Sequence, residues 1–200
     1  MAAPDSASTK DLNGKWVMSK SLSDDMGEVL ALQNVGWLLR KAVSVATVTL
    51  HVKQYPDATK PEISHVDLDQ MGTGGLKGFP ELRTVDGEWR PQSDYVFGEQ
   101  KGRTRWVKLA DLKKEDGPEG VQEEDVENLK KGWGVEMETA DAIDFAVVSD
   151  KKGWICWQIW GFTEVEVGGK KERRYVRKLI ARKGKDVKNA TVFYDYAGSL

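Results

Sequence analysis

Two histidines are the side chains of this sequence best suited to proton transfer or metal binding. His51 and His65 lie in neighbouring stretches that alternate apolar and polar residues, which predicts a β-hairpin. A turn centred on residues 57–59 would place the two rings opposite each other, with Thr49 opposite Asp67 on the same face. Such a group suits acid–base chemistry or half of a metal site. The other face of the hairpin is the apolar one, so we favour two solvated histidines on the outer surface.

Other reactive patterns are missing from the sequence. It contains no nucleophile elbow, no Ser–His–Asp pattern and no cluster with metal-ligand spacing. The single cysteine, Cys156, can form no internal disulfide and leaves zinc without a second sulfur ligand. The sequence therefore predicts neither a metal nor a cofactor.

Charge and composition narrow the class of partner. The chain has 200 residues, with 30 basic and 32 acidic side chains, and its net charge of −2 does not favour nucleic acid. Its first ten residues, MAAPDSASTK, lack an apolar signal core, and no stretch approaches the length of a membrane span. We expect a cytoplasmic protein without stable membrane insertion, and the oligomeric state is not predicted.

The elements that must position any site are mainly strands. Residues 1–11 are predicted to be a flexible lead-in, and residues 12–200 a single domain. Two short helices, at about 26–32 and 35–42, are too short to stand alone and must pack on something larger. Residues 110–131 are acidic and lack aromatic residues, which predicts a surface insertion with one or two helical turns.

The rest of the chain has the alternation typical of strands, about ten or eleven in number. The predicted strands are 12–18, 46–54, 61–68, 79–85, 94–98, 103–109, 135–139, 143–149, 155–167, 173–183 and 187–196. Many closely spaced antiparallel strands indicate a barrel or a sandwich, and closure of the sheet would remove exposed edges.

Both ends of the chain resemble the fatty-acid-binding-protein family of intracellular lipid-binding barrels. The matching segments are GKW (14–16), SKSLSDDMGEVL (19–30), VGWLLRK (35–41), WQIW (157–160), YVRKL (175–179) and ATVFYDY (190–196). The middle, roughly 55–150, matches poorly, so the chain resembles a divergent member. The resemblance implies an all-β fold: a closed antiparallel barrel of about ten strands with a short helix-turn-helix lid, in the calycin or lipocalin-like class.

The resemblance also implies a ligand anchor inside the barrel. In the family, two arginines and a tyrosine hold a carboxylate; Arg177 matches the first arginine, Tyr194 matches the tyrosine, and Val192 replaces the second arginine. That departure favours a less acidic ligand, because a buried carboxylate needs charge-assisted partners. The alternatives are a surface position for Arg177 in its basic strand and ordinary packing for Tyr194.

Five further residues are candidate ligand contacts. Tyr175 shares a strand face with Arg177, and Gln158 matches a polar interior position of the family. Arg105, alternating with Arg103, could replace the missing arginine, although a surface position is the commoner outcome. Trp160 lies in a matching segment, and Trp37 lies in the predicted lid.

Two functions remain open at this point. The first is an intracellular carrier that binds a small hydrophobic molecule such as a fatty acid, terpenoid or polyketide. The second is an enzyme of small-molecule metabolism, a cyclase, isomerase or dehydratase without a cofactor, that uses the same cavity. The lack of a catalytic motif favours the carrier, and the extra length and the missing arginine favour the enzyme.

Overall fold

The computed structural model describes residues 1–75 and 77–200, and over these residues the chain forms ten strands and three short α-helices. The strands are β1 (Gly14–Met18), β2 (Val48–Pro56), β3 (Ser64–Gly72), β4 (Glu81–Val85), β5 (Arg90–Asp94), β6 (Gly98–Val107), β7 (Ala142–Ser149), β8 (Trp154–Val167), β9 (Lys170–Lys183) and β10 (Asp186–Tyr196). The helices are α1 (Gly27–Leu32), α2 (Trp37–Val45) and α3 (Glu123–Lys130). Among the described helices, none has the length and apolar character needed to cross a membrane.

The strands form a closed barrel. They follow the order β4-β3-β2-β1-β10-β9-β8-β7-β6-β5, and a further contact between β4 and β6 closes the sheet. Neighbours in that order are antiparallel, whereas the closing contact, Val85 with Thr104, is parallel. The predicted barrel is therefore confirmed with one difference: β4 and β5 both lie along the same side of β6, so nine strands form the wall and β5 is an additional strand.

Alternation along the strands builds the interior of the barrel. Trp16, Leu50 and Val52 point inward and are almost completely buried. The indole N–H of Trp16 donates to the Leu12 carbonyl at 2.8 Å, so this large side chain is buried with its one polar group satisfied. These packed side chains fill part of the barrel and leave room for a cavity beside α1 and α2.

The acidic insertion packs onto the outside of β7, β8 and β9. It contributes Leu112, Val126 and Leu129 to a second apolar cluster that also contains Trp157 and Ile180 from the barrel wall. Both faces of β7 and of the first part of β8 are thus buried, which explains why residues 142–148 and 154–162 are mostly apolar instead of alternating. The charged side chains of the insertion are mostly exposed, and its apolar side chains form the contact with the barrel.

The first eleven residues, predicted as a flexible lead-in, lie against the barrel. The amide of Ala3 donates to the carbonyl of Arg173 at 2.8 Å, and the Arg173 guanidinium donates to the carbonyls of Pro4 and Ala7, both at 3.0 Å. The side chains of Ala3 and Ala7 belong to the interior cluster. Small apolar residues fit against the barrel here, and an arginine of β9 bonds to the backbone of the segment.

Two of the predicted strands are not strands. Residues 135–139 form a 3-10 turn (Val135–Glu138), in which Met137 is buried and Val135 is exposed, so an apolar alternation arises without a strand. Residues 94–98 form the turn between β5 and β6, where Asp94 Oδ1 accepts hydrogen bonds from the amides of Val96 and Phe97. A short polar side chain that caps a turn in this way competes with strand pairing.

The hairpin of β2 and β3 has a different register from the predicted one. His51 lies opposite Asp69, and His65 lies opposite Tyr55. The connection is longer than predicted because Asp57 Oδ1 accepts hydrogen bonds from the amides of Thr59 and Lys60, which organises residues 57–63 into a loop. The two histidines are therefore not cross-strand neighbours, as the predicted register would have made them.

Candidate functional site

A cavity of about 290 Å³ opens between the barrel and the helix pair. Its apolar wall combines lid residues, such as Val29, Leu39 and Val43, with strand and loop residues, such as Phe97 and Trp154. The predicted lid therefore forms part of the wall. A cavity of this kind excludes water from a small apolar molecule and leaves orientation to the few polar groups that line it.

The polar groups form one cluster on the cavity wall, which we call the polar cluster. Its members are Gln70, Glu81, Arg83, Gln92, Gln158, Arg177 and Tyr194. They come from six strands, β3, β4, β5, β8, β9 and β10, and strand alternation turns each of them inward. The polar cluster is the part of the cavity able to hold a polar or charged group of a ligand.

Arg177 is the best-buried cation of the polar cluster, with only 6 % of its surface exposed. Its Nε donates to the Tyr175 hydroxyl at 2.8 Å, and its guanidinium carbon lies 3.9 Å from the centre of the Trp160 ring. Desolvation alone would lower the pKa of Arg177, but Tyr175, Tyr194 and Glu81 outweigh it and hold the pKa above its usual value. Arg177 is therefore a fixed cation, and its Nη2 has no hydrogen-bond partner among the described residues.

Tyr194 lies beside Arg177 and remains a neutral phenol. Its ring centre is 5.4 Å from the Arg177 guanidinium carbon, and only 7 % of the residue is exposed. Burial raises the pKa of the Tyr194 hydroxyl against the opposing charge of Arg177, so the group keeps its proton at neutral pH. Arg177 and Tyr194 are thus two hydrogen-bond donors on the same wall of the cavity.

Three of the seven residues predicted from sequence line the cavity: Arg177, Tyr194 and Gln158. Two others support them from behind. Tyr175 is completely buried and accepts the hydrogen bond from Arg177, and the Trp160 ring packs under the same guanidinium while its N–H donates to Gln158 at 3.0 Å. Tyr175 and Trp160 therefore position Arg177 and Gln158 instead of lining the cavity themselves.

The structure places Arg105 and Trp37 away from the cavity. Alternation along β6 turns Arg105 outward, where its Nε donates to the buried Asp144 at 2.7 Å and its Nη2 lies 2.9 Å from Asp116 of the insertion. Trp37 is the first residue of α2 and is 68 % exposed. Arg105 joins the insertion to the barrel, and the lid contacts the cavity through Leu39 and Val43 instead of Trp37.

Neither His51 nor His65 is among the described residues that line the cavity. His65 Nε2 is 2.8 Å from Asp57 Oδ2, and Tyr55 stacks on the imidazole ring. The bond from His65, together with bonds from Thr59, holds the pKa of Asp57 below its usual range. Within residues 1–75 and 77–200, no three His, Cys, Asp or Glu side chains converge in a way that could hold a metal ion.

Sequence reasoning missed the contribution of β4 to the polar cluster. Glu81 and Arg83 point inward, and Leu82 between them is 72 % exposed, so the strand has its charged face inside. The usual rule that apolar residues face the interior would have placed Leu82 inside and Glu81 and Arg83 outside. The available signal was a carboxylate and a guanidinium two residues apart, which share a strand face and can neutralise each other when buried.

Comparison with known proteins gives two kinds of similarity. No family model matches the chain. A protein described as "Probable pericyclase scpY" from Mollisia scopiformis is 27% identical over 98% of this chain and 95% of its own length. "Pericyclase pydY" from Acremonium sp is 28% identical over 99% of this chain and 98% of its own length.

Solved structures share the fold. The fluorescent protein UnaG aligns with a TM-score of 0.52 at 13% identity, over 93% of this chain and 97% of its own. Human cRBP IV aligns with a TM-score of 0.50 at 12% identity, over 94% and 98%. A variant of the fatty acid transporter REP1-NXSQ aligns with a TM-score of 0.50 at 13% identity, over 93% and 98%. The chain therefore has the fold of the fatty-acid-binding proteins and related lipid-binding calycins, in a divergent form.

Proposed function

We propose that this protein is an enzyme that catalyses a pericyclic reaction of an unsaturated, carbonyl-bearing molecule enclosed in the barrel. The observation that carries the proposal is a largely apolar cavity in which Arg177 Nη2, a buried donor without a partner among the described residues, lies on the same wall as the neutral Tyr194 hydroxyl. Similarity to two pericyclases along almost the whole chain supports a reaction of this class. The enzyme is therefore the favoured alternative of the two functions left open by the sequence.

A pericyclic reaction makes demands that this cavity can meet. Bonds form and break in one cyclic rearrangement of electrons, so the reaction needs no nucleophile and no general base. Part of its barrier is entropic, because a flexible chain must fold until the reacting carbons are in contact. The apolar wall formed by Val29, Leu39, Phe97 and Trp154 would confine the substrate to such a folded conformer.

The donors would act on the electronic part of the barrier. A hydrogen bond to a carbonyl conjugated with the reacting double bonds withdraws electron density and stabilises the charge that develops in the transition state. Tyr175 and Trp160 hold the Arg177 guanidinium in place before the substrate arrives, so little reorganisation is needed. Arg177 and Tyr194 are the proposed catalytic residues, and Tyr175 and Trp160 are the proposed positioning residues.

The test is conversion of the substrates of the two related pericyclases by the purified protein. An intramolecular pericyclic product has the same mass as its substrate, so liquid chromatography with mass spectrometry would follow a new peak of unchanged mass. We expect Arg177→Met and Tyr194→Phe each to lower kcat by about 10- to 100-fold, the loss that follows from a charge-assisted or buried hydrogen bond. Arg90→Met, which changes an arginine on β5 that is about half exposed and lies outside the cavity wall, is the matched control and should retain full activity.

The second candidate is a carrier for a small hydrophobic ligand, and the fold favours it because a fatty acid transporter shares this barrel. A carrier would bind the same molecules saturably and leave their spontaneous rate of cyclisation unchanged. If the protein accelerates cyclisation and the acceleration requires Arg177 or Tyr194, the protein is more than a carrier. A cytoplasmic location stays a prediction, which a fluorescent fusion in the source cell would test.

A further inference from the structure

Arg83 brings a second buried guanidinium into the cavity, from a strand that the sequence resemblance does not cover. Its Nη2 lies 2.7 Å from Glu81 Oε2, and its Nη1 donates to Gln92 Oε1 at 2.9 Å. The guanidinium carbon lies 3.9 Å from the centre of the Phe145 ring, and the residue is 7 % exposed. Its Nε is buried and has no hydrogen-bond partner in the described part of the chain.

The two guanidinium groups rest on neighbouring aromatic rings. Arg83 lies over Phe145 of β7, and Arg177 lies over Trp160 of β8, each at 3.9 Å. The ring centres of Phe145 and Trp160 are 6.1 Å apart, so the two cations are held side by side. Each has one buried N–H without a partner, Nε of Arg83 and Nη2 of Arg177.

Glu81 neutralises only one of these two cations. The carboxylate bonds to Arg83 and Gln70, and Arg177 is near enough to act on it as well. Burial opposes ionisation of Glu81, but the charges of Arg83 and Arg177 prevail and hold its pKa below the usual value. Of the described charged residues that line the cavity, Lys77 is exposed, so the buried groups leave one net positive charge. A buried charge of this kind is costly unless an opposite charge joins it.

We propose that the polar end of the substrate carries a single negative charge, a carboxylate or the ionised enol of an acidic dicarbonyl group, held jointly by Arg83 and Arg177. Arg83 is then a specificity-determining residue, and Glu81 is a positioning residue that orients Arg83 and limits the cavity to one negative charge. The identification of this anion with a substrate rests on the proposed function. The charge selectivity of the cavity does not, because a non-reacting probe can measure it.

A matched pair of probes tests the selectivity. Parinaric acid and its methyl ester carry the same conjugated tetraene, and both accept excitation energy from tryptophan when they enter the cavity. At pH 7.5 we expect wild-type protein to bind the acid at least about 10-fold more tightly than the ester, as a charge-assisted contact implies. Arg83→Met should weaken acid binding by about 10- to 100-fold and leave ester binding unchanged, and Arg90→Met should alter neither.

Glu81→Gln provides a second, independent reading. Glutamine keeps an oxygen that can accept from Arg83 but removes the competing negative charge, so the acid should bind several-fold more tightly and the ester as before. Equal affinity of wild-type protein for acid and ester would overturn the proposal, even if Arg83→Met failed to fold. Equal losses for both probes in a folded Arg83→Met would also overturn it. Charge-selective probe binding without any turnover would instead reject the proposed function and leave the anion site standing.

Discussion

At the scale of single residues, the anchor of this cavity is built differently from the one implied by the resemblance. The family places a second arginine at the position of Val192, and here Val192 is an apolar part of the cavity wall. The second guanidinium comes from Arg83 on β4, a strand that is not a neighbour of β9 or β10 in the sheet. A guanidinium can reach the same part of the cavity from more than one strand, so an arginine on β4 can replace one on β10.

Cys156 provides a prediction at this scale. Its thiol lies in the cavity wall, is 2 % exposed, and has a pKa raised to about 12 by burial. Since the thiolate is the reactive form, only about one thiol in ten thousand would be ionised at pH 8. We expect no reaction of the folded protein with Ellman's reagent at pH 8, and one thiol released once guanidinium unfolds it. Rapid labelling of the folded protein would show that the cavity wall opens to solvent.

At the scale of elements, the insertion is an outer layer of the domain. Asp125 at the start of α3 accepts two hydrogen bonds from Arg182 of β9, and Trp157 beneath the insertion is completely buried. The Trp157 N–H donates to Asp144, which also holds Arg105. Burial raises the pKa of the Asp144 carboxyl, and the hydrogen bond from Arg105 opposes that shift. The hydrogen bonds from Arg105 and Trp157 therefore offset part of the cost of burying this carboxyl. The insertion is thereby fixed to the strands that carry Gln158 and Arg177.

Leu129 of α3 tests that role. The side chain is 1% exposed within the second apolar cluster, so Leu129→Ala should lower the free energy of unfolding by about 2–5 kcal/mol through lost burial and the cavity that remains. Urea unfolding followed by tryptophan fluorescence would measure the change. Val135→Ala, at a position 79% exposed in the following turn, is the control and should change stability by less than about 0.5 kcal/mol. Similar small effects for both variants would mean that the insertion contributes little.

At the scale of the whole molecule, the barrel is uneven around its circumference. β8 and β9 pair continuously from Ile155 with Arg182 to Val167 with Lys170, whereas β4 meets β6 in the single register pair of Val85 with Thr104. Glu81 and Arg83 of the polar cluster lie on this short strand, beside the weakest join. Of the two arginines that bind the proposed anion, Arg83 therefore lies beside the join with the fewest strand pairs, and Arg177 lies on the continuously paired β9.

Hydrogen exchange should reveal this asymmetry. Amides of residues 81–85 are expected to exchange at least about 10-fold faster than those of residues 175–181. The reason is that fewer strand pairs must break for β4 to separate from β6 than for β9 to separate from its neighbours. Mass spectrometry of peptides after timed deuteration would measure both segments in one experiment. Bound parinaric acid should slow exchange in β4 if Arg83 holds the ligand. Equal protection of the two segments would show a barrel that opens only as a unit.

Alternation in the sequence predicted the strands, and the resemblance of the two terminal segments predicted the closed barrel, the helix pair and interior positions for Arg177 and Tyr194. Strand alternation and the two terminal segments are local patterns, and each survives in the structure because one side of every wall strand must face the interior. Gln158 was found in the same way. These features depend on residues close together in the chain, so a linear sequence contains them.

The interior face of β4, the outward position of Arg105 and the packing of residues 1–11 depend on contacts between different parts of the folded chain. Glu81 and Arg83 are interior residues because they pair with each other and because Gln70 of β3, Gln92 of β5 and Phe145 of β7 surround them. Arg105 points outward because Asp144 and Asp116 lie there, and residues 1–11 lie against the barrel where the Arg173 guanidinium donates to the carbonyls of Pro4 and Ala7. A buried charge is stable only with its partners, and which partners arrive depends on how the closed sheet brings distant strands together.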